Sequence, residues 1–265
     1  MTDKHLEALS HLTNQFGNRP ETGIILGTGL GGLVKYIDID LEVEYSDIPN
    51  FPVSTVESHS GKLIFGRLSG KNIVAMQGRF HFYEGYSMDE VTFPIYILKS
   101  LGVKNLIVSN ACGALNQKFN KADLMIMTSH INLLFDTPLK RKKLNYTDCS
   151  KIYSKRLIDM AESTAIESGI SIQKGVYAPV QGPNLETVSE YRMIRKMGGD
   201  TVGMSTIPEA LIASNLGMEV LGLSIITDKG FPDTLEVAVL KDILESASIA
   251  EPKLTLLIKN LAAKL

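Results

Sequence analysis

"TGIILGTGLGG", residues 22–32, decides between two folds. An apolar run from Thr22 to Leu26 stops at glycines, which is how a buried strand ends in a tight turn. Gly27, Gly29 and Gly32 also satisfy the G-x-G-x-x-G spacing of a dinucleotide-binding turn. That turn must open a full helix, and the helix must lead to a second apolar strand ending in an acid. The next residues, "LVKYIDIDLEVEYSDIPNFP" (33–52), hold barely two helical turns and then a charged, alternating stretch. The glycines therefore read as an anion nest, in which backbone N–H groups and the Thr28 hydroxyl face a negative ligand. A dinucleotide site and a tight turn without a ligand are the two competing readings.

Working outward, strands alternate with helices. "KLIFGRLSGKNIVAMQG" (62–78) reads as two strands turning at Ser69-Gly70. "MDEVTFPIYILKSLG" (88–102) reads as a helix stopped by Gly102, with Pro94 in its early turns. Strands are expected over 103–113, 122–134, 174–184, 200–204 and 219–227, the last leaving Asp228 at its open end. Helices are expected over 151–168, 187–198 and 205–217, and in a tail from about 236 that Pro252 breaks or kinks. Thr206 followed three residues later by Glu209 reads as a helix-start pair. Residues 135–150 lose the pattern and form a basic loop. This alternation indicates an α/β fold with a parallel or mixed sheet, and ligands in such sheets sit at the carboxyl ends of strands.

Composition narrows the function classes. The chain has 265 residues, a formal net charge of -2 and 44% hydrophobic content, enough for a sizeable core. Nothing in that balance points to nucleic acid or a membrane surface as partner. The first residues are polar and weakly amphipathic through Leu6, Leu9 and Leu12, unlike a signal peptide. The most apolar later region is interrupted by Glu209, Asn215 and Glu219, so no membrane span is expected. Two cysteines, Cys112 and Cys149, form no framework, and a reducing cytoplasm is the simplest setting. His5, His11, His59, His81 and His130 show no metal-binding spacing, so no metal is expected.

Two kinds of charge-bearing motif then stand out. In "GRFHFYEGY" (78–86), Arg79, His81 and Tyr83 are two apart and would share one face of a strand. Arginine's planar fork of donors suits phosphate oxygens. His59 in "SHSGK" (58–62) and Ser205 in "VGMST" (202–206) are further anion contacts. Against them stand two acids, Glu186 in "QGPNLET" (181–187) and Asp228 in "SIITDKG" (224–230). Each motif alone has a plain structural explanation: a surface hairpin, a solvated histidine, a helix cap. Together they describe a site with an anion-binding half and an acidic half, suited to an enzyme that joins phosphate to a molecule with polar edge groups.

In this order, "GTGLGG", "SHSGK", "GRFHFYEGY", "SNACGALN", "SHINL", "GPNLET", "VGMST" and "SIITDKG" make the chain resemble the trimeric, low-molecular-mass purine nucleoside phosphorylases over roughly residues 20 to 230. The resemblance implies one domain over 1–265 with a central mixed sheet, partly closed into a barrel and flanked by helices. It implies phosphorolysis of purine ribo- and deoxyribonucleosides to free base and pentose 1-phosphate, in a homotrimer, with phosphate as co-substrate and no cofactor. Carried over by motif, Thr28, Arg79, His81, Ser205 and the Ala111 backbone N–H would hold phosphate, with His59 close by. Tyr83 and Met204 would contact the ribose. Ala111, Cys112, Gly113, Leu185, Glu186, Thr227 and Asp228 would form the base site. His81, Glu186 and Asp228 are the expected catalytic residues. Relatives also borrow an aromatic from a neighbouring subunit; Phe135 and Tyr146 both lie in the basic loop, and the choice between them stays open.

The chain departs from the family pattern at two places. Asp228 stands where many members have asparagine. An ionised carboxylate only accepts hydrogen bonds, so it would repel O6 of a 6-oxopurine and attract the amino group of a 6-aminopurine. Glu186 argues the other way, because it accepts from the N1–H of a 6-oxopurine. The two acids conflict unless one keeps a proton. At the ribose 5′ end, Val237, Val239 and Leu240 replace a usual histidine, which resembles the apolar pocket of the related methylthioadenosine phosphorylases. Inosine and guanosine are the default substrates, with 6-aminopurines accepted through Asp228. A methylthioadenosine phosphorylase and a nucleoside-binding protein without turnover are the alternatives.

Overall fold

Strand β1 (Thr22–Leu26) is buried at every position. Ile25 packs into one hydrophobic core, and Ile24 and Leu26 into a second core on the other face. A strand covered on both sides has no polar alternation, which is why it reads as a continuous apolar run. β1 lies between β4 (Lys71–Gln77) and β5 (Asn105–Ala114), parallel to both. Antiparallel β3 (Lys62–Leu68) and β2 (Asp38–Glu44) extend the sheet beyond β4. The β3–β4 hairpin turns at Ser69-Gly70, both with positive φ, as a type I′ turn requires.

On the other side of β1 the sheet closes. β8 (Thr201–Gly203), β7 (Ile172–Pro179), β6 (Leu124–His130) and β9 (Glu219–Lys229) follow β5 in order, and β9 returns to pair in parallel with β5. Five strands thus form a ring, with β1, β4, β3 and β2 as a wing. This is the partly closed barrel expected for the fold. The computed structural model describes residues 2–28, 30–55, 60–140, 148–231 and 239–265.

Helices cover both faces. α1 (Asp3–Thr13), α2 (Met88–Leu101) and α5 (Ile207–Asn215) bury Leu12, Leu98 and Ile212 in the first core. α3 (Lys155–Glu167) and α6 (Leu240–Lys264) bury Leu157, Leu257 and Leu261 in the second. α4 (Val188–Lys196) packs Tyr191 and Ile194 in a smaller cluster beside the barrel. Among the described residues, no helix is long and apolar enough to cross a membrane.

Several local expectations need correction. Pro94 is the seventh residue of α2, in its interior rather than its first turns. The lost backbone hydrogen bond costs about 3 kcal/mol, and burial of the flanking Phe93, Ile95, Ile97 and Leu98 offsets it. Pro252 does not break α6, which runs through it as one helix held by Ala250, Leu254, Leu257 and Ile258 against the core. α3 starts only at Lys155, where the Ser154 hydroxyl accepts from the Leu157 N–H. As the sequence suggested, no full helix follows the glycine loop: residues 31–36 form a 3₁₀ turn, and the charged alternating stretch after it is a strand, β2, antiparallel to β3. Both facts exclude the dinucleotide-binding reading.

Candidate active site

The carboxyl ends of β1, β4, β5, β8 and β9 open onto one cavity of about 250 Å³. β1 gives Gly27 and Thr28, and the segment after β4 gives Arg79, His81 and Tyr83. β5 contributes Asn110, Ala111, Cys112 and Gly113. The loop after β7 brings Leu185 and Glu186, and the β8–α5 turn brings Met204 and Ser205. β9 supplies Thr227 and Asp228. Gly27 lets the end of β1 lie close against β5: a Cβ there would lie 2.8 Å from the Ser109 carbonyl oxygen and 3.0 Å from Asn110 Cα.

The cationic half is built from buried parts. Gly78, with φ +112, ends β4, so Arg79 and His81 are not on a strand as expected; they lie on the loop behind it. Arg79 is 1% exposed. Its Nε pairs with Glu209 Oε1 at 3.0 Å, and its NH1 donates to Ser109 O at 2.8 Å and to the Ser205 and Thr206 hydroxyls at 3.0 Å. Asn110 Nδ2 donates to the same Thr206 Oγ1 at 2.8 Å. Thr206 therefore caps nothing. It has φ 77 and ψ -45, and no hydrogen bond from its side chain to α5. The Ile207 N–H donates to Ser205 O at 2.9 Å across it. Such a turn is strained for a β-branched residue, and the Arg79 and Asn110 hydrogen bonds hold it. Glu209 is likewise the partner of Arg79 instead of a capping acid.

His81 is fixed from behind. Its Nδ1 lies 2.8 Å from Glu84 Oε1, and its backbone N–H donates to the same oxygen at 2.7 Å. Thr55 donates to Oε2 through its N–H at 2.8 Å and its hydroxyl at 2.6 Å. Burial would raise the Glu84 carboxyl, but these bonds from His81 and Thr55 outweigh it and hold it at about 2. An ionised carboxylate cannot donate, so the proton sits on Nδ1. Tyr83 stacks on the His81 ring with centroids 4.7 Å apart.

The acidic half depends on an irregularity in β9. The β5–β9 register pairs Cys112 with Ile226 but Gly113 with Asp228, so Thr227 is one residue too many. A β-bulge re-aims the side chains beside it. β9 thus continues through Lys229, and Asp228 projects from within the strand rather than from its open end. Gly113 makes the room: a Cβ there would lie 2.7 Å from Asp228 Oδ2. The Thr227 hydroxyl lies 2.8 Å from Asp228 Oδ1 and 3.2 Å from the Cys112 carbonyl.

Burial pushes Asp228 up, against the Thr227 hydroxyl and the Lys121 charge. Burial also pushes Glu186 up, against its own backbone N–H and the Tyr191 phenol, while the charges of Asp228 and Glu190 raise it further. Both acids therefore favour the protonated form more than free carboxylates do. Burial likewise lifts the Cys112 thiol to about 12. Gly182 closes the remaining side. It has φ +65, and a Cβ there would collide with Met204 Sδ and come 3.2 Å from Tyr83 Cδ1.

Of the other expected residues, His59, Tyr146 and Val237 lie outside the described residues, as does the side chain of Leu240. Val239 is 54% exposed and does not line the cavity; Ile243, one turn into α6, does. Phe135, 81% exposed with φ +54, lines a second cavity together with Gln181, Asn184 and Glu186. Asn110 and Glu84 had no site role assigned from sequence, and Thr206 and Glu209 had been read only as a helix-start pair. Glu84 and Glu209 had a signal, since each is an acid three residues from a proposed ligand-binding or capping residue. Among the described residues, no group of three or more His, Cys, Asp or Glu could hold a metal ion.

The cavity at the mouth of this barrel thus has a buried arginine on one side and two carboxyls on the other. The chain matches the phosphorylase superfamily over residues 21–263. It is 49% identical to purine nucleoside phosphorylase 1 of Geobacillus stearothermophilus over 84% of this chain and 83% of that one. Schistosoma mansoni purine nucleoside phosphorylase in complex with adenosine superposes with a TM-score of 0.94 at 36% identity, covering 99% of this chain and 97% of that one. A schistosoma purine nucleoside phosphorylase in complex with hypoxanthine matches equally well, with the same TM-score, identity and coverage. The chain belongs to the purine nucleoside phosphorylase family. It is a pentosyltransferase that catalyses phosphorolysis of purine nucleosides, with inorganic phosphate as co-substrate. The reading as a binding protein without turnover is set aside.

Proposed function

We propose that the substrates are 6-oxopurine ribo- and deoxyribonucleosides by default, with 6-aminopurine nucleosides accepted as well. The observation that carries this is the pair of carboxyls at one end of the cavity, buried Glu186 and part-buried Asp228, both shifted toward protonation. With one proton between them, Glu186 accepts from the purine N1–H while protonated Asp228 donates to N7. If the proton leaves Asp228, its carboxylate accepts from a 6-amino group. One protein of the family is recorded with adenosine and a similar one with hypoxanthine, which supports a site that reads both edges.

The chemistry rests on position. Phosphate is held by Arg79, His81, Thr28, Ser205 and the Ala111 N–H, with His59 as a further contact. Holding it under C1′ converts an encounter into an oriented attack. The C1′–N9 bond breaks as positive charge builds on the ribose, and the phosphate's own charge stabilises that cation. The bonding electrons leave with the base, and a proton donor at N7 stabilises them. Phosphate oxygen then bonds C1′, giving pentose 1-phosphate and free purine. Tyr83 and Met204 shape the ribose side. Leu185, Cys112, Gly113 and Thr227 surround the base.

A second reading has one observation in its favour: Ile243 puts an apolar side chain into the cavity, which suits a methylthio group at 5′. We also infer a homotrimer in the cytoplasm. Exposed Phe135, Leu185 and Met193 near the mouth support an apolar surface covered by a second copy. The free, buried Cys112 thiol is consistent with a reducing compartment. Specificity constants for inosine, guanosine, adenosine and methylthioadenosine, on wild type and Asp228→Asn, test the substrate reading. Wild type is expected to favour inosine, and the substitution to raise the inosine-to-adenosine ratio. An unchanged ratio would show that Asp228 does not read the 6-position.

A further inference from the structure

Gly32, the last glycine of the loop after β1, does not have a positive φ, so its backbone does not require a glycine. A side chain does. A Cβ at Gly32 would collide with the Glu251 carboxyl, at 2.5 Å from Cδ and 2.7 Å from Oε2. The carboxyl therefore rests against the Gly32 Cα. Glu251 is a half-buried residue of α6, flanked by Ala250 and Leu254, which share the second core with Leu30 and Leu33. Thr255, one turn further on and 5% exposed, donates its hydroxyl to Glu251 Oε1 at 2.5 Å and holds the carboxyl in place. The helix is pinned again beyond it. The Ser69 hydroxyl donates to Lys259 O at 3.0 Å, and Lys259 Nζ lies 4.1 Å from the centroid of the Tyr36 ring at the end of the 3₁₀ turn.

The start of the glycine loop is fixed by the sheet. The Gly78 N–H donates to Leu26 O at 3.2 Å, and the Leu30 N–H donates to Gly27 O at 3.1 Å. Between this anchor and Gly32 lie Gly27 and Thr28, which line the cavity. We propose that Glu251 is a positioning residue for phosphate: its carboxyl, held by Thr255, is the wall on which Gly32 closes the loop, and so sets where Thr28 and the loop N–H groups face the anion. The inference rests on the proposed phosphate role of Thr28. Glycines give a loop more accessible conformations than other residues do. Fixing both ends removes most of them, so the donors are already placed when phosphate arrives. Glu251 itself is not part of the cavity lining. Glu186 and Asp228 are carried by other segments, the loop after β7 and β9, so the effect falls on phosphate and not on the base.

The test is kcat with KM for phosphate and for inosine, on Glu251→Ala, Glu251→Gln, Gly32→Ala and the double variant of Gly32→Ala with Glu251→Ala. Removing the carboxyl leaves a gap beside Gly32. Glu251→Ala should raise KM for phosphate about tenfold and leave KM for inosine within about twofold of wild type. Gly32→Ala should raise it too, because its methyl and the carboxyl compete for one space. Glutamine has the shape of glutamate and keeps an acceptor for Thr255, so Glu251→Gln should restore most of the loss. In the double variant the methyl fills the space that the carboxyl left. KM for phosphate should return toward wild type instead of rising by the product of the two single effects. A merely structural role would lower the melting temperature and the active fraction, and would not move one KM up and then back. Thr255→Val frees the carboxyl without removing it, should raise the same KM, and serves if Glu251→Ala melts too early to assay. Single effects that multiply, or an unchanged KM for phosphate in folded Glu251→Ala, overturn the proposal. Thr28→Ala separates it from the reading beneath it. If Thr28→Ala leaves KM for phosphate unchanged, the loop does not hold phosphate and that reading falls. If Thr28→Ala raises it and Glu251→Ala does not, only the positioning role falls.

Discussion

Glu84 Oε1 accepts two hydrogen bonds from a single residue, the backbone N–H of His81 at 2.7 Å and its ring Nδ1 at 2.8 Å. The other oxygen is taken by Thr55, so the carboxylate has no rotational freedom left. The histidine facing the anion site is thus aimed by an acid with no direct role in that site. In Glu84→Gln, the amide NH₂ has to face either the His81 donors or the Thr55 donors. Loss of one charge-assisted bond is worth about 1.5–3 kcal/mol, or roughly 10–100-fold in rate. kcat/KM should fall by that amount, with KM for phosphate rising, in steady-state assays at varied phosphate. An unchanged phosphate KM would count against the aiming role.

The same carboxyl gives a pH-dependent stability. Its folded value, about 2, lies below the ordinary 4.5. The sign is that of a depressed acid: its contribution is present in full above about 4.5 and is lost as pH falls toward about 2. The melting-temperature gap between wild type and Glu84→Gln should therefore close across that window.

Arg79 is buried with Glu209 as its ion partner, and truncating one member of a buried pair is strongly destabilising. Glu209→Ala should cost about 3–5 kcal/mol, read as a large drop in denaturation midpoint. Phosphate in excess should restore part of that loss, because a bound anion supplies the missing charge. No phosphate-dependent recovery would mean that the anion does not sit on Arg79.

Gly113→Ala places a methyl 2.7 Å from Asp228 Oδ2. The carboxyl has to turn away, and the base site loses it while the phosphate side keeps its geometry. KM for the nucleoside should rise with little change for phosphate. Equal effects on both would show a general collapse of the site.

Asp228 is raised by burial, so its sign is opposite to that of Glu84. Between 3.8 and its higher folded value the native state binds more protons than the unfolded chain, and stability falls as pH rises. Asp228→Asn removes this penalty. It should melt higher than wild type near neutral pH, with the advantage vanishing as pH drops to about 3.8. A gap that does not depend on pH would place the effect elsewhere. A part-buried acid kept at a cost in stability is what a functional site looks like.

The motifs that line the cavity were legible because each carries its chemistry in a few adjacent residues: glycines after a strand, an arginine two before a histidine, an acid just before a helix start. The alternation of buried strands and amphipathic helices made the fold class legible too. Periodicity failed where packing overruled it. Pro94 and Pro252 sit inside helices because apolar neighbours hold those helices on the core.

Sequence alone therefore determined which charge-bearing residues gather at the cavity, Arg79 and His81 on one side and Glu186 and Asp228 on the other. Only the tertiary structure decided how they are aimed. The bulge at Thr227 turns Asp228 onto Gly113. Thr206 and Glu209, a capping pair by pattern, instead serve Arg79. Tyr191 reaches from α4 to pack its ring on Gly230, two residues after Asp228. These are contacts between residues far apart in the chain, or departures from regular geometry. Neither leaves a periodic trace, because both are set by which side chains the closed sheet brings together.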